Sequence, residues 1–232
     1  MEQQGAVLEF WFDFASNYSY LSVMRIDALA RAAGVDVVWR PFLLGPIFKA
    51  LGMDNSPFVL NRQKGAYMWQ DMVRECRKYG LPWRRPGEFP RHSVLPLRVA
   101  VLGEDAPWLQ PFCQRIMQRN FVHDLDIGSE SSVAEVLHAL QLDAAAILGA
   151  AQTDHNKLRL RERTEQARAR GVFGAPTFFA GQEMFWGNDR LEDAIAAASA
   201  GHAHVAAVAV DVGGGQGGGD GVQVLDHQPR SR

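Results

Sequence analysis

The pattern of apolar and polar residues near the start of the chain predicts a strand, a helix and a second strand. In the run VLEFWFDF, residues 7–14, large apolar side chains fall on both faces, which favours an interior strand. The run NYSYLSVMRIDALARAAG, residues 17–34, places apolar residues at helical spacing and ends at a glycine that stops the helix. A second strand, VDVVWRPF, follows at residues 35–42. Such short joints predict a βαβ unit with two parallel strands.

The pattern changes at Gly45, and from there to about Arg170 it predicts helices separated by turns. The run KGAYMWQDMVRECRKYG, residues 64–80, is amphipathic at the helical period and ends at Gly80. Further helices are predicted for residues 94–103, 108–121, 132–140, 144–151 and 155–170. This part of the chain is therefore predicted to be an all-helical insertion.

Strand patterns return after Gly171. The runs APTFFA and EMFWG, residues 175–180 and 183–187, flank Gly181 and Gln182 and predict a β-hairpin. The run NDRLEDAIAAASA, residues 188–200, predicts a closing helix. The order βαβ, helices, ββα is that of an α/β thioredoxin-like fold with an all-helical domain inserted after the second strand.

These elements predict how the 232 residues are divided. Residues 6–44 and 171–200 are expected to form the thioredoxin-like domain, and residues 45–170 the helical insertion. Residues 201–232 contain GGGQGGGDG and are expected to form a flexible tail, because such a composition supplies no side chains for a packed core.

Charge and composition narrow the possible partners. The formal net charge is −2, so no basic surface favours nucleic acid or an anionic membrane. The start, MEQQGAV, lacks the regions of a signal peptide, and no apolar run approaches the roughly 18 to 20 residues of a membrane span. We expect a cytoplasmic protein that acts on a small molecule, with no nucleic-acid or membrane partner.

Cysteine and histidine usage predicts neither redox nor metal chemistry from the chain itself. Cys76 and Cys113 lie far apart, form no CxxC motif and are expected to be packed, reduced thiols. Outside the predicted tail, which holds His202 and His204, the histidines show no ligand-like spacing. We therefore predict no metal site.

The first candidate site segment is the junction between the first strand and the first helix. Ser16 lies there, at the edge of an open sheet where ligands collect. A thioredoxin-like oxidoreductase carries a CxxC motif at this point. This chain has SNYS instead, so its own residues do not supply disulfide chemistry.

Two further segments belong to the same predicted site. In GVFGAPTFF, the proline before a strand predicts a cis Ala175–Pro176 bond, which leaves the Ala175 backbone free to pair with an extended peptide. In FWGNDRLE, Asn188 and Asp189 begin the last helix and offer an anion-accepting turn. A ligand with a carboxylate, an amine and a peptide backbone fits these segments, and glutathione is such a ligand.

The motifs DFASNYSYL, GVFGAPTFF and FWGNDRLE, in this order, carry a resemblance. The chain resembles the 2-hydroxychromene-2-carboxylate isomerase family, within the DsbA-like group that also contains kappa-class glutathione transferases. The similar layout covers about residues 6 to 200. The resemblance implies a glutathione-dependent isomerase of aromatic hydroxy-acids, active in aromatic compound catabolism and commonly a homodimer.

The resemblance also implies roles for individual residues. The hydroxyl of Ser16 would stabilise the glutathione thiolate, which forms a transient adduct with the substrate. Two residues, Ala175 and Pro176, would pair with the cysteinyl backbone of glutathione. The γ-glutamyl end would be held by Trp186, Gly187, Asn188 and Asp189.

On the substrate side, the resemblance implies roles for Lys64 and, through a looser alignment, Lys49. Two departures from the family pattern stand out. Asn17 replaces a common proline, which bears on helix entry, and His92-Ser93 replaces Asn-Ser, which bears on substrate identity.

Simpler interpretations stay open beside these. Ser16 is also a good helix cap, Asn188 and Asp189 are ordinary turn residues, and the two lysines are typical solvated charges. Two other functions also stay open: a kappa-like glutathione transferase, and a noncatalytic thioredoxin-like module that binds an extended peptide.

Overall fold

Four strands form one mixed sheet in the computed structural model, which describes residues 5–201. The central strand β1 (Ala6–Phe12) pairs in parallel with β2 (Val35–Pro41) and antiparallel with β3 (Thr177–Ala180). The edge strand β4 (Glu183–Trp186) pairs antiparallel with β3 through a turn in which Gly181 has a φ of 59°. The order is β2-β1-β3-β4, which confirms the predicted parallel pair and the predicted hairpin.

Strand β1 is buried on both faces, as its sequence predicts. Phe10 and Phe12 are fully buried, and Trp11, on the opposite face, is 2% exposed. The Phe10 ring lies between two neighbours in register, with centroid distances of 5.2 Å to Trp39 and 5.3 Å to Phe178. This packing fixes the position of the carboxyl end of β1, where Ser16 follows.

Two helices follow β1 where the sequence predicts one. They are α1 (Asn17–Val23) and α2 (Ile26–Ala32), and Arg25 lies at the break between them. The Arg25 guanidinium donates to Asn188 Oδ1 at 3.1 Å and lies 3.4 Å from the centroid of the Tyr79 ring. The prediction of one helix over residues 17–34 is therefore wrong, since distant contacts hold Arg25 at a turn.

The segment between β2 and β3 contains helices, as predicted. The helices of this segment are α3 (Leu44–Ala50), α4 (Pro57–Leu60), α5 (Arg62–Tyr79), α6 (Val94–Leu102), α7 (Leu109–Phe121), α8 (Glu130–Ala139), α9 (Ala144–Ala151) and α10 (Asp154–Ala169). Asn61 caps helix α5, and its side chain accepts from the Lys64 N–H at 2.9 Å. It ends at Gly80, which takes the left-handed conformation typical of helix ends.

The buried core continues from the sheet into the helical segment. One cluster joins Phe12 of β1 to Phe112 of α7 and Leu137 of α8. A second cluster, on the other face of the sheet, joins Trp11 to Ala167 of α10. The division into a thioredoxin-like domain and a helical domain stays a prediction.

The chain closes with a 3-10 turn (Asn188–Arg190) and a helix, α11, at residues 191–201. The closing helix therefore begins one turn later than predicted. The predicted tail, residues 201–232, lies outside the described residues except for Gly201. Among residues 5–201, no helix combines the length and the apolar character needed to cross a bilayer.

Candidate active site

A cavity of about 1480 Å³ lies at the carboxyl end of β1. Its wall comes from the β1–α1 junction, from α3 with the loop after it, from α5, and from the segments around Pro90, Ala175 and Asn188. Eight of the nine predicted site residues line it. They are Ser16, Lys64, Ala175, Pro176, Trp186, Gly187, Asn188 and Asp189. The structure thus places the predicted segments around one volume large enough for two small molecules.

Ser16 caps α1 and also reaches the segment before β3. Its φ of −85° and ψ of 117° are those of an N-cap, and its Oγ accepts from the Ser19 N–H at 3.1 Å. The same hydroxyl donates to the Ala175 carbonyl oxygen at 2.9 Å. The capping interpretation is therefore confirmed, and it coexists with a position in the cavity wall.

The Ala175–Pro176 segment is held on both sides. The peptide bond is cis, as predicted. The Pro176 carbonyl accepts from the Gly187 N–H at 3.0 Å, and the Thr177 hydroxyl donates to the Gly174 carbonyl at 2.8 Å. Together with the bond from Ser16, these contacts fix the backbone of Ala175 at the cavity wall.

The turn from Trp186 to Asp189 borders the other side of this segment. The Trp186 ring is 52% exposed and packs against Phe173, with ring centroids 4.8 Å apart. Gly187 has a φ of 107°, which only glycine adopts readily. Asn188 is 3% exposed, and its Oδ1 accepts from the Ser22 hydroxyl at 3.1 Å.

Two buried amide groups in the wall have hydrogen-bonding capacity left over. Asn17 is 2% exposed, and neither its Nδ2 nor that of Asn188 has a partner within residues 5–201. An unpaired buried donor costs roughly 1 to 3 kcal/mol, so each such group calls for an explanation. Both residues line the Ser16 cavity, but the two Nδ2 atoms have almost no accessible surface, so a ligand acceptor reaches them only after the side chains turn. The volume and the polar lining of the cavity fit a molecule of the size and chemistry of glutathione.

Asp13 is a site residue that sequence reasoning missed. Its side chain is 2% exposed and accepts from the Ala15 N–H at 2.9 Å and the Leu44 N–H at 2.8 Å, while its carbonyl accepts from the Ser16 N–H at 3.0 Å. Burial raises the pKa of this carboxyl, and the hydrogen bonds partly offset the rise. Asp13 therefore ties the Ser16 junction to α3. A carboxylate directly after a buried strand was the available signal.

Acidic groups outnumber basic ones in the cavity wall. The carboxylates are those of Asp13, Asp54, Asp71, Glu75, Glu88 and Asp189. Of the cations, Arg91 pairs with Asp124 at 2.6 Å and Arg190 pairs with Asp193 at 2.7 Å. Lys64 also lines the wall, and no carboxylate among the described residues pairs with it. His92 is a further lining residue.

Lys49 does not join the other site residues. It lies exposed in the last turn of α3 and is not part of the cavity wall. Its predicted contact with the substrate stays a prediction.

The two cysteines do not serve the cavity. Both are free, buried and outside its wall. Burial raises the pKa of Cys76 to about 12 and that of Cys113 well above its usual value, so both stay protonated at neutral pH. Within residues 5–201, no three histidine, cysteine or acidic side chains are grouped closely enough to hold a metal ion.

Known proteins are similar to this chain over most of its length. A 2-hydroxychromene-2-carboxylate isomerase of Sphingobium xenophagum is 29% identical over 188 residues, which are 80% of this chain and 94% of that protein. Glutathione S-transferase kappa 2 of Caenorhabditis elegans is 26% identical over 178 residues, 73% of this chain and 79% of that protein.

The fold has relatives of known structure as well. A solved structure of a 2-hydroxychromene-2-carboxylate isomerase matches with a TM-score of 0.76 and 25% identity, over 89% of this chain and 98% of that one. This match confirms the predicted thioredoxin-like α/β fold with its helical insertion. The family profile described as DSBA-like thioredoxin domain matches residues 7–197. The chain therefore belongs to the DSBA-like thioredoxin domain family.

Proposed function

We propose that this protein is a glutathione-dependent isomerase that acts on 2-hydroxychromene-2-carboxylate or a related aromatic hydroxy-acid. The observation that carries the proposal is the position of Ser16, whose hydroxyl lies in the wall of a large cavity and bonds the Ala175 backbone. Similarity to isomerases of this name, over 80% of the chain, supports the reaction type. When bound, glutathione would supply a nucleophilic sulfur for reversible addition to the substrate.

The residues around Ser16 have separate tasks in this proposal. Ala175 and Pro176 present backbone groups to the peptide of glutathione. Trp186, Gly187, Asn188 and Asp189 hold its γ-glutamyl end at the turn that begins the closing segment. These groups orient the ligand so that its sulfur end lies at the start of α1.

Ser16 acts as a hydrogen-bond donor and not as a nucleophile. A free thiol with a pKa near 8.5 is only a few per cent thiolate at neutral pH. Lowering that pKa by two units takes about 2.7 kcal/mol. A hydrogen bond to a charged group supplies roughly 1.5 to 3 kcal/mol, so one hydroxyl donor accounts for the change without a histidine base.

Lys64 is the proposed partner of the substrate carboxylate. Unlike the two arginines of the cavity wall, Lys64 has no carboxylate partner among the described residues, and acidic groups predominate in that wall. An anionic substrate would therefore be drawn to its end of the cavity.

Titration with glutathione tests the central claim. Thiolate absorbance near pH 7 is followed for the wild type, for Ser16→Ala and for the matched control Ser19→Ala. The Ser19 hydroxyl is fully buried, lies outside the cavity wall and has no partner among the described residues, so its loss should leave the signal intact. We expect thiolate in the wild type and the control and its loss in Ser16→Ala. Binding without thiolate in the wild type would refute the proposal.

A kappa-like glutathione transferase is the second candidate, favoured by similarity to a protein of that name at 26% identity. Both enzymes need the thiolate, and they differ in what happens to glutathione. Turnover of 2-hydroxychromene-2-carboxylate with all glutathione recovered selects the isomerase, and loss of glutathione into product selects the transferase. A noncatalytic peptide-binding module would give neither thiolate nor turnover.

The two lysines form a matched pair for the substrate side. Lys64→Met should raise the KM for the anionic substrate about threefold to tenfold, because an exposed charge pair is worth roughly 1 kcal/mol. Lys49→Met removes the same charge outside the cavity wall and should raise KM less than Lys64→Met does. Equal effects of the two changes would remove Lys64 from the proposed site.

A further inference from the structure

The single proton of the Ser16 hydroxyl already has an acceptor. A carbonyl oxygen can only accept, so the 2.9 Å contact with Ala175 O takes that proton. An amide N–H can only donate, so the 3.1 Å contact with the Ser19 N–H occupies a lone pair of Oγ. As the structure stands, Ser16 has no proton left for a sulfur atom.

We propose that the Ala175 carbonyl makes donation by Ser16 conditional on a peptide N–H in the ligand. When a ligand amide N–H bonds the Ala175 oxygen, the Ser16 hydroxyl is free to turn toward the ligand sulfur. This inference rests on the proposed function and specifies which thiols the site activates. They are thiols carried by a residue with a secondary amide N–H, in preference to simple thiols.

The exchange leaves each polar group bonded. The Ser16 proton moves by rotation about the Cβ–Oγ bond, while Oγ keeps accepting from the Ser19 N–H. The Ala175 oxygen gains the ligand N–H in place of the Ser16 hydroxyl. A ligand without this N–H would leave the Ala175 oxygen unpaired whenever Ser16 turned to the sulfur, and an unpaired acceptor opposes the turn.

The position of Ala175 strengthens the dependence. The bonds at Pro176 and Gly174 hold the neighbouring backbone, so the carbonyl cannot swing to another donor without breaking them. The backbone of Ser16 is also fixed, because its N–H donates to Asp13 O at 3.0 Å. The Ser16 hydroxyl proton is therefore the link between the start of α1 and the Ala175 backbone that can be redirected.

The test compares glutathione with its depsipeptide analogue, in which an ester oxygen replaces the N–H between the γ-glutamyl and cysteinyl residues. The pKa of each bound thiol is measured by thiolate absorbance under saturation and is referred to that of the same ligand free in solution. We expect the bound glutathione thiol to have the lower pKa by about 0.5 to 1 unit. That difference is a threefold to tenfold change in ionisation, the range of one neutral hydrogen bond.

Repeating both titrations with Ser16→Ala completes the cycle, because the difference between the two ligands should then vanish. Equal pKa values of the two bound ligands in the wild type would overturn the inference while leaving the proposed function intact. A difference that persists in Ser16→Ala would overturn it too. Absence of any thiolate with glutathione itself would refute the proposed function, and the inference with it.

Discussion

Helices α1 and α8 begin with the same capping chemistry and differ in what surrounds it. Ser16 accepts from the Ser19 N–H at 3.1 Å, and Ser129 accepts from the Ser132 N–H at 3.3 Å. At α8 the partners of the cap lie close in sequence: Asp126 accepts from the Ser129 N–H at 3.0 Å and from the Ser132 hydroxyl at 2.8 Å. At α1 the Ser16 proton instead reaches Ala175, 159 residues away.

The surroundings of the two caps separate a structural from a functional helix start. The α8 cap is exposed and its hydroxyls bond to a nearby carboxylate. The α1 cap is buried, and the Nδ2 of its neighbour Asn17, a residue of the cavity wall, lacks a partner among the described residues. Each unpaired buried group in a folded protein calls for an explanation, and a bound ligand is the one that the proposed function supplies. The contrast supports the proposal that α1 is the functional start.

The largest expected difference between the two caps is in catalysis. Ser16→Ala should lower kcat/KM for 2-hydroxychromene-2-carboxylate with glutathione about 10- to 150-fold, the loss of one hydrogen bond to a charged group. Ser129→Ala should lower the free energy of unfolding by about 1 kcal/mol, the usual cost of losing a helix cap, and leave kcat/KM unchanged. Steady-state kinetics and denaturant unfolding of both variants check this. Similar activity losses in both would erase the distinction.

The second largest expected difference is in stability, and it arises at the first residue of α1 and of α8. Asn17→Pro should raise the free energy of unfolding by about 1.5 kcal/mol, because it removes an unpaired buried amide and stiffens the unfolded chain. Ser16 already has the ψ of 117° that suits a residue before proline.

The matched change at α8 is Glu130→Pro. It removes a hydrogen bond from Gln152 to Glu130 at 2.8 Å, so it should give little or no gain. Urea unfolding of the two variants decides the point. A destabilised Asn17→Pro would show that the Asn17 amide is not a stability cost in the ligand-free protein.

The smallest effect depends on pH and belongs to the α8 cap. Burial of Asp126 raises its pKa, but hydrogen bonds from Ser129, Gly128 and Ser132 outweigh this and bring it below the usual 3.8. A lowered pKa in the folded state contributes stability above about pH 4 that is lost as the pH falls further. Asp126→Asn should therefore cost about 1 kcal/mol at pH 7, after solvent screening, and progressively less below pH 4. A cost independent of pH would contradict the charged hydrogen bonds.

Much of the fold could be predicted because its signals are local. The two-sided apolar run at residues 7–14 and the glycine between β3 and β4 each report on their own neighbours. The break at Arg25 could not be predicted, because residues 17–34 keep helical spacing throughout. Arg25 at the break bonds Asn188, 163 residues further along the chain, and such a distant contact has no local signal.

The candidate site also combines features that have local sequence signals with features that depend on distant contacts. Ser16, Pro176 and the turn at Asn188 were recognisable from short motifs, and the structure brings them to one cavity. The bond from Ser16 to Ala175 has no sequence signal, because it depends on how β1 and β3 pair. A second cis bond, Phe89–Pro90, also borders the cavity, and its sequence context gave no reason to expect it.

The pairing of β1 between strands from opposite ends of the chain has a consequence for biosynthesis. Strand β1 leaves the ribosome before β3, the strand at residues 177–180 that covers its second edge. Until β3 has emerged, the central strand therefore has one edge of unpaired backbone groups, which is a template for aggregation. A nascent chain that stops before β3 would have neither a covered edge nor a complete pocket.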